Sequence, residues 1–362
     1  MLLAARNGAA YLREQLNSIL AQRQDGFLLY PENLCLVVSD DCSTDGTGEL
    51  LDAYAEEHRG NLIVLHRNQP SGGAAQHFLS LLQLMARLAA EEDAKRAGVR
   101  AEAVCLAVEV QAGEWTAAGQ GAAEQLEALR RAASASCFFL SDQDDVWLPN
   151  KVEKQIACLH QLEKTQKSVK KPLLVHSDCS VVTESLQEIS KSFFRYQKIS
   201  QNRTRLSQLL VQNVVTGGAV LLNREFLPLL LRLPRLCLMH DAWLALLCAC
   251  FGQFGCVEES LYLYRQHGDN TLGAAAAGRP SAGIRRLLDG SRAAENYRRQ
   301  FAQAEALLEL FGPDLKSEQR EILEAFLKIP KVGRLQKIRL MLRYGFLKDT
   351  WYRSLGLMLM IP

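Results

Sequence analysis

The 362-residue sequence lacks long apolar runs and a strong charge of either sign. A helix needs about 18 consecutive apolar residues to span a bilayer, and no uncharged apolar stretch reaches that length. The formal net charge is only +2, so the composition gives no reason to expect a nucleic-acid partner. The first residues also lack the charged region and apolar core of a signal peptide. We therefore expect a cytoplasmic protein, with peripheral contact to the cytoplasmic face of the plasma membrane as an alternative left open.

The sequence has ten cysteines but no CxxC pair and no Cys/His run with the spacing of zinc ligands. Several cysteines lie in apolar runs, where a reduced thiol behaves as a small hydrophobic side chain. This pattern favours core cysteines in a reducing compartment. Hydrophobic residues make up 48% and charged residues 23%, which is ordinary for a soluble globular protein. A chain of this length forms one large domain or two smaller ones.

Short apolar runs alternate with polar turns and helical patterns in the first part of the chain. Residues 1–5, 34–38 and 61–65 are typical of strands, and a helical pattern follows each of them. Repeated alternation of strand, loop and helix predicts a mainly parallel sheet with helices on its faces. The first run is short for a strand, from which we infer a clipped strand or an upstream start.

Residues 87–136 break this alternation. They are rich in Ala and Glu and have no turn residues suited to a site, which predicts a helical insertion between two strands. The alternation then resumes and continues to residue 273. Residues 274–362 are first rich in Ala and Gly, and then helical and basic. We therefore expect a sheet domain over residues 1–273 and a helical extension over residues 274–362.

Three carboxylates follow an apolar strand at residues 137–140. Asp142, Asp144 and Asp145 open a turn that leads into a helix. Carboxylates at the end of a buried strand destabilise the fold unless a cation meets them, and ligands of open α/β sheets bind at the carboxyl ends of strands. A hard divalent cation, bound by one or two carboxylates and by substrate phosphate oxygens, satisfies both conditions. The cluster thus predicts a metal–diphosphate clamp, with a solvated turn or an adventitious Ca²⁺ site as the alternative.

A second acidic pair, Asp40 and Asp41, follows the strand at residues 34–38. Carboxylates at this place can accept hydrogen bonds from a nucleobase N–H or from ribose hydroxyls. The turn residues after them can instead cap the next helix, which is the structural alternative. Two acidic strand ends in one parallel sheet can share a crevice. We therefore expect one site, with a base and sugar at one side and a metal at the other.

Seven segments with motif character occur in a fixed order: LLAARNGAAYLREQLNSILAQ, VVSDDCSTDGT, FFLSDQDDVWLPNKVEKQ, VHSD, VTGGAVLLNR, MHDAWLALL and YRQHGDNTLG. In these segments the chain resembles family 2 inverting glycosyltransferases of the GT-A fold, and most of all the rhamnosyltransferase-like branch that builds bacterial surface polysaccharides. The resemblance covers most of residues 1–273 apart from the Ala-rich insertion, and SDQDDVWLPNK is its most specific part. It implies a GT-A (Rossmann-like) α/β fold, with a mainly parallel sheet flanked by helices and a helical C-terminal extension.

The resemblance assigns the first acidic pair to the nucleotide. Asp41, with Asp40 beside it, matches the carboxylate that contacts the nucleoside. Arg6 and Asn7 lie in the first nucleotide-binding loop, where Ala5-Arg6 stands in place of the Thr-Tyr that is usual in the family. Arg6 is then expected to contact a phosphate, or else to weaken the packing of the base.

The resemblance assigns the second cluster to a metal and to catalysis. Asp142 and Asp144 match the Asp-X-Asp element, with Asp144 as the favoured direct ligand of Mg²⁺ or Mn²⁺. His267 lies where related enzymes place a late metal or diphosphate contact, the alternative being a loop histidine without a ligand. Asp241 matches the general base, the alternative being a helix N-cap. An inverting transfer needs such a base for the acceptor hydroxyl and a Lewis acid on the departing diphosphate.

The donor sugar and the acceptor are expected against residues around these carboxylates. A glycine pair interrupts the strand-like run at residues 214–222, and such glycines often mark the close approach of a ligand or another backbone. A tightly packed strand is the alternative for this pair. The expected pocket residues are Asp145, Trp147, Thr216, Gly217, Gly218, His240 and Arg265.

The resemblance implies a metal-dependent transfer of a sugar, with inversion, from a nucleotide-diphosphate sugar to a hydroxyl group. The favoured donor is dTDP-rhamnose and the next is a UDP-sugar, and the acceptor is a growing cell-surface glycan or a lipid-linked molecule. One alternative is a catalytically degenerate module that binds nucleotide-sugar or glycan, suggested by Ala5-Arg6 and the short first strand. Another is a sugar-1-phosphate nucleotidyltransferase. That class requires a Gly-rich loop with Arg and Lys, for which Arg6-Asn7-Gly8 is a poor substitute.

The end of the chain is basic and amphipathic. From Lys328 onward, basic residues alternate with Leu, Phe and Trp, and the last residues, LGLMLMIP, are apolar. A basic amphipathic helix with aromatic residues can lie on an anionic membrane surface, and a lipid-linked acceptor would make such docking useful. The alternative is an ordinary helix that covers the domain.

Overall fold

The computed structural model describes residues 1–97, 115–117, 122–166, 169–268 and 290–361. The strands of these residues are β1 (Leu2–Ala5), β2 (Arg23–Gln24), β3 (Phe27–Leu28), β4 (Leu36–Asp40), β5 (Leu62–Arg67), β6 (Trp115–Ala117), β7 (Cys137–Ser141), β8 (Val146–Trp147), β9 (Leu173–Thr183), β10 (Glu188–Ser190), β11 (Leu221–Asn223) and β12 (Gln253–Gln266). The α-helices are α1 (Ala9–Leu20), α2 (Thr47–Glu57), α3 (Ala74–Arg96), α4 (Ala122–Ala133), α5 (Lys151–Thr165), α6 (Phe193–Gln197), α7 (Leu206–Leu209), α8 (His240–Phe251), α9 (Gly290–Phe311), α10 (Ser317–Lys328), α11 (Arg334–Tyr344) and α12 (Trp351–Met360).

Ten strands form one mixed sheet in the order β6-β5-β4-β1-β7-β11-β9-β12-β8, with β10 beside β9. Strands β5, β4, β1 and β7 are parallel neighbours, and β9 and β12 form a second, longer parallel ladder. β11 runs antiparallel between β7 and β9, and β6 and β8 add short antiparallel edges. The α/β architecture predicted from the sequence is confirmed, and the longest ladders are parallel.

The side chains of the strands alternate between two apolar layers, because successive residues of a strand point to opposite faces of the sheet. In β1, Leu2 belongs to the layer that contains α3, and Leu3 belongs to the layer that contains α1. All four residues of β1 are buried, and this short strand lies between β4 and β7. The carboxyl ends of these three parallel strands therefore open at the same edge of the sheet.

The glycine pair lies in a turn. The sequence predicts an interrupted strand over residues 214–222, whereas the structure has a 3-10 turn at Gly217–Ala219 and a strand only at Leu221–Asn223. That part of the prediction is wrong. The physical reason is that His240 and Asp145 pack directly against the two glycines.

The Ala-rich segment 87–136 contributes to the main core where the structure describes it. α3 extends to Arg96 and so enters this segment, which also contains β6 and α4. Leu88, Trp115 and Leu129 are buried in the layer that contains α3. The rest of the segment, and the domain boundary predicted at residue 273, lie outside the described residues.

The C-terminal helices pack on the same layer, each through one apolar side. Phe311 of α9, Phe326 of α10, Met341 of α11 and Leu357 of α12 are buried in it. A helical C-terminal region is therefore confirmed. Among the helices that the structure describes, none is long and apolar enough to cross a bilayer.

We expect Leu140→Ala in β7 to lower the free energy of unfolding by about 2–5 kcal/mol, the usual range for truncation of a buried leucine. Leu140 is fully buried in the middle of the sheet. Leu28→Ala is the matched control, because Leu28 is 53% exposed and its truncation is expected to cost less than about 0.5 kcal/mol. Urea unfolding of both variants beside the wild type measures the difference, and equal losses would contradict the central place of β7.

Candidate active site

The loops that follow β1, β4 and β7 are joined by hydrogen bonds at one edge of the sheet. The side-chain oxygen of Gln143 accepts from the N–H of Arg6 at 2.6 Å, and its amide nitrogen donates to the Arg6 carbonyl at 2.9 Å. The side-chain oxygen of Asn7 accepts from the N–H of Thr44 at 2.9 Å, and the Asn7 N–H donates to Ser43 Oγ at 2.8 Å. The structure thus brings the loop of Arg6 and Asn7 together with both acidic loops.

Asp41 is a buried carboxylate that binds the loop after β5. It accepts hydrogen bonds from the N–H of Ser71 at 2.6 Å and from Ser71 Oγ at 2.8 Å. Arg67 lies 3.5 Å from its Oδ1, and Arg6 lies 3.6 Å from its Oδ2. The Arg6 side chain is half exposed and can therefore reach a bound molecule next to Asp41. Ser71 and Arg67 were given no role by the sequence analysis, because they follow a strand without any acidic motif.

Asp40 is engaged by neighbouring side chains. Its Oδ1 accepts from Ser43 Oγ at 2.5 Å, and its Oδ2 lies 3.4 Å from His66 Nδ1. Burial alone would raise the pKa of Asp40, but hydrogen bonds from His66 and Ser43 outweigh it and lower the pKa. The same bond to Asp40, together with one to Asp52 at 2.8 Å, raises the pKa of His66 to about 9. Asp40 thus connects the loop after β4 to His66 of β5. Its contact with a nucleoside remains a prediction.

Asp142 and Asp241 lie close together and remain partly accessible. Burial, together with the charges of Asp144 and Asp241, raises the pKa of Asp142 to about 8. Burial also raises the pKa of Asp241 to about 7, against hydrogen bonds from the N–H groups of Ala242 and Gly217. The Ala242 N–H donates to Asp241 Oδ1 at 2.6 Å. A carboxylate with a pKa near 7 can act as a proton acceptor close to neutral pH.

Asp145 is fully buried, and its two oxygens differ. Oδ1 accepts from the N–H of Arg265 at 3.3 Å, whereas Oδ2 has no hydrogen-bond partner among the described residues. Burial raises the pKa of Asp145 well above its usual value, and the charges of Asp144 and Asp142 raise it further. Three crowded carboxylates thus form a region that strongly favours an added positive charge.

Lys151 supplies a buried positive charge near Asp145, although the sequence indicates only a helix start at this position. Its ammonium lies 4.5 Å from the ring centroid of Trp147 and 5.4 Å from that of Tyr262, and it donates to Gln155 Oε1 at 2.5 Å. Burial lowers the pKa of Lys151 to about 7, and the charge of Asp145 opposes this shift. Trp147, expected in the sugar pocket, is only 2% exposed and contacts Lys151 from within the core.

The two glycines allow a close approach between parts of the chain itself. A Cβ on Gly217 would lie 2.6 Å from His240 Nε2, and a Cβ on Gly218 would lie 2.7 Å from Asp145 Oδ2. His240 is buried, its ring stacks on Phe78 at 4.0 Å, and neither ring nitrogen has a partner among the described residues. Burial lowers the pKa of His240 to about 3, so the ring is neutral.

The remaining pocket residue of this turn, Thr216, shares a hydrogen bond of 2.9 Å with the hydroxyl of Tyr262. Tyr262 is buried in β12, one of the rings around Lys151. This bond links the turn before β11 to the strand that leads to Arg265 and His267. Thr216 therefore connects the turn next to Asp241 to β12.

Asp144 and His267 form a close pair at the other side of the carboxylates. The distance from Asp144 Oδ2 to His267 Nε2 is 2.7 Å, and both side chains are largely buried. The His267 ring lies 4.8 Å from the ring of Tyr11 in α1. The structure therefore brings together two of the three residues, Asp144 and His267, that the resemblance assigns to a metal or diphosphate contact.

Arg265 ties this side of the site together. Its Nε donates to the carbonyl of Asp144 at 2.8 Å, and its other guanidinium nitrogens bind the carbonyl of Glu184 and the carboxylate of Glu14. The Tyr11 hydroxyl donates to the Glu184 carboxylate at 2.5 Å. Tyr11, Glu14 and Glu184 were missed by the sequence analysis. The only local signal is that Tyr11 and Glu14 lie three residues apart, on one face of α1.

The donor set fits a hard divalent cation that a substrate helps to bind. Among the described residues no group of three or more His, Cys, Asp or Glu side chains is arranged to hold a metal ion. Carboxylate oxygens are the ligands preferred by Mg²⁺ and Mn²⁺, and a Mg²⁺ site commonly has one or two carboxylates completed by substrate phosphates. Asp144, His267 and Asp142 are the residues that would hold such a cation, with the substrate supplying its other ligands. The raised pKa values of Asp142 and Asp145, and the lack of a hydrogen-bond partner for Asp145 Oδ2 among the described residues, fit an added positive charge at this place.

In metal-free protein, we expect Asp142→Asn to raise the melting temperature at pH 8 more than at pH 4. The folded-state pKa of Asp142 is about 8, whereas an unfolded aspartate titrates near about 3.9. Between these values the unfolded chain releases a proton that the folded chain keeps, so stability falls as pH rises. Asparagine does not titrate and avoids this loss. Thermal unfolding with EDTA measures it, and Asp25→Asn, at an exposed position, should show no such pH-dependent gain.

The model of the family described as "Glycosyl transferase family 2" matches residues 2–80. This range includes the loop of Arg6 and Asn7, both acidic residues after β4, and Ser71. No curated protein sequence matches the chain.

Solved structures share the fold of the chain. TarS residues 1–349 from S. aureus, in complex with UDP-GlcNAc, aligns with a TM-score of 0.50 and 14% identity over 95% of this chain and 79% of that one. The complex of TarS residues 1–349 with UDP aligns with a TM-score of 0.50 and 14% identity over 92% of this chain and 72% of that one. The mannosyltransferase PcManGT from Pyrobaculum calidifontis, in complex with GDP-Man and Mn²⁺, aligns with 14% identity over 99% of this chain and 82% of that one. Its TM-score of 0.42 is too low to support an inference. At these identities the likeness to TarS shows the fold alone, which is GT-A-like as predicted. The match to the glycosyl transferase family 2 model covers residues 2–80 only.

Proposed function

We propose that this protein is a metal-dependent inverting glycosyltransferase that takes its sugar from a nucleotide-diphosphate donor. The observation that carries the proposal is the convergence of acidic groups from two strand ends and one helix start. Asp41 follows β4 and the Asp142–Asp145 cluster follows β7, on either side of β1, and Asp241 at the start of α8 lies close enough to Asp142 to raise its pKa. Nothing in the stability of the fold requires so many crowded carboxylates, so a cationic or phosphate-bearing ligand explains them better.

The donor is proposed to lie with its nucleoside at Asp41 and its diphosphate at Asp144. Arg6 is half exposed beside Asp41 and can contact a phosphate oxygen. Asp144 and His267 would hold Mg²⁺ or Mn²⁺, with Asp142 next to them. The metal, when bound, would neutralise charge that develops on the departing diphosphate. Gln143 joins the loop after β7, which carries Asp142 and Asp144, to the loop of Arg6 through its two hydrogen bonds to the Arg6 backbone.

Asp241 is proposed as the general base. A carboxylate near a helix N-terminus is normally stabilised in its charged form, which makes it a weak base. At Asp241 burial outweighs the two N–H groups and raises the pKa to about 7. The carboxylate would take the proton of the acceptor hydroxyl while the hydroxyl oxygen bonds to the anomeric carbon. The bond from that carbon to the diphosphate oxygen breaks on the opposite side, which inverts the configuration.

The finer assignments rest on the sequence resemblance. A rhamnosyl group from dTDP-rhamnose remains the favoured donor, and the UDP-GlcNAc in the TarS complex makes a UDP-sugar the nearest rival. The acceptor is proposed to be a growing cell-surface glycan or a lipid-linked molecule, reached from the cytoplasm. Residues 1–273 would form the catalytic domain and residues 274–362 an extension. The degenerate alternative is disfavoured because Asp144, Asp241 and Asp41 are all in place.

Calorimetric titration with dTDP, UDP and GDP, each with and without Mn²⁺, tests the donor site. We expect one nucleotide to bind, and to bind at least about tenfold more tightly with the metal, because Asp144 and the diphosphate oxygens would together supply ligands for Mn²⁺. Asp144→Asn should abolish the gain from the metal and keep the weak metal-independent binding. Exposed Asp25→Asn is the matched control. A folded protein that binds none of the three, or an Asp144→Asn variant with the full metal gain, would refute this arrangement.

Asp241→Asn is expected to lower kcat by about 10²–10⁴-fold, the usual contribution of a general base, and to leave nucleotide affinity unchanged. In the wild type, kcat/KM should fall about tenfold per pH unit below pH 7, because the pKa of Asp241 is raised to about 7 and protonation removes the acceptor of the proton. Donor turnover against a panel of glycan acceptors, measured across pH, provides both readouts. Full turnover in Asp241→Asn would assign the base elsewhere.

A further inference from the structure

The last two helices expose apolar side chains on one side each. In α12, Trp351 is 79% exposed, Leu355 49% and Leu359 58%, and a spacing of four residues places them along one stripe. In α11, Leu335 is 86% exposed and Leu342 59%, and a spacing of seven residues places them on one face. Large exposed apolar side chains scattered singly need no explanation, but a stripe that includes tryptophan marks an interaction site.

These apolar faces belong to a segment in which nearly all charged residues are basic. Residues 325–348 contain seven Lys or Arg and no Asp or Glu, and residues 350–362 contain no acidic residue either. No ion pair among the described residues involves Lys331, Arg334, Lys337 or Arg339. The single acidic residue, Asp349, is used internally, since it lies 3.3 Å from Arg203. Lys331, Arg334, Lys337 and Arg339 therefore present positive charge that no acidic side chain of the described residues neutralises.

We propose that α11 and α12 form a docking surface for a membrane rich in anionic phospholipid. The surface is defined by Leu335, Leu342, Trp351, Leu355 and Leu359, with the basic residues of 328–353 around them. An interfacial helix buries a stripe of Trp and Leu at the level of the headgroups and keeps Lys and Arg at the phosphates. Anionic lipid is preferred to a protein partner because α11 carries both exposed leucines and three cations without an ion pair among the described residues, Arg334, Lys337 and Arg339. The Trp–Leu stripe of α12 follows directly in the chain, and together they have the composition of an interfacial segment. This inference goes beyond the transfer reaction and does not depend on it.

The docking surface is attached firmly to the rest of the protein. Met341 of α11, Leu357 of α12 and Phe346 between the two helices are buried in the main core. Asp349, in the turn between the helices, accepts from the N–H of Ser200 at 2.9 Å, and its own N–H donates to the Gln212 side chain at 3.0 Å. The chain then leads from residue 212 directly to the glycine turn of the active site. A membrane held at this surface would thus set the position of the site relative to a lipid-linked acceptor.

Tryptophan fluorescence gives a direct test of docking. Trp351 is the exposed tryptophan, whereas Trp115, Trp147 and Trp243 are 8% exposed or less. The full chain is titrated with vesicles of phosphatidylglycerol and phosphatidylcholine in equal parts, and with vesicles of phosphatidylcholine alone. We expect a blue shift of emission and co-sedimentation with the anionic vesicles, both weakened by salt, and neither effect with neutral vesicles. Trp351→Phe should abolish the shift but keep most of the co-sedimentation.

Substitution is preferable to deletion of the tail, because deletion would also remove the buried residues of α11 and α12. The double variant Leu355→Ser/Leu359→Ser should lower vesicle affinity by about tenfold or more, through loss of buried apolar area. Lys337→Gln and Arg339→Gln should each lower it by about fivefold and reduce its salt dependence. Phe27→Ser/Leu28→Ser is the matched control, since these residues are equally exposed on the β2–β3 hairpin, and it should bind as the wild type does.

Two results would overturn the proposal. One is wild-type protein that fails to bind anionic vesicles at low salt, and the other is binding that the α12 double variant retains in full. Self-association through this surface, detected by sedimentation velocity and lost in the same variant, would identify a second copy of the chain as its occupant instead. Nucleotide titration of every variant separates this question from the proposed reaction, because the surface substitutions should leave nucleotide affinity unchanged.

Discussion

The crowding of negative charge at the ends of the central strands is the constraint on which the rest of the site depends. Asp142, Asp144 and Asp145 follow one strand within four residues, and Asp241 joins them from a helix that begins far along the chain. Each carboxylate raises the cost of ionising the next. A buried lysine and several N–H groups reduce that cost only in part, so ionisation of all these carboxylates together is unfavourable without an added positive charge.

This constraint explains residues that would otherwise be poor choices for a core. Lys151 is fully buried because its charge opposes that of Asp145, and three aromatic rings take the place of water around its ammonium. Gly217 and Gly218 lack side chains because His240 and Asp145 occupy that space. The protein thus gives up stability at this edge of the sheet, as sites that await a charged ligand commonly do.

The sequence predicts the fold and the acidic loops well, because both follow from local patterns. Apolar runs define the strands, and Asp41 and Asp144 are placed at strand ends by counting residues along the chain. Contacts between distant segments are not encoded in this way. The burial of Lys151 and the bond from Tyr11 to Glu184 depend on how β12 and α1 come together, and no spacing reveals them. The glycine turn was misread as a strand for the same reason.

Gln143 occupies the variable position of the Asp-X-Asp element, yet its amide group binds both the N–H and the carbonyl of Arg6. A Cβ on Gly8 would overlap that amide, so the contact also restricts the first loop of the chain. The loop of Asp142–Asp145 and the loop of Arg6 and Asn7, which we propose to hold the metal and to face the nucleotide, are therefore joined to each other directly. A donor would meet a single prearranged surface along its whole length, and recognition of its base and of its diphosphate would be one event.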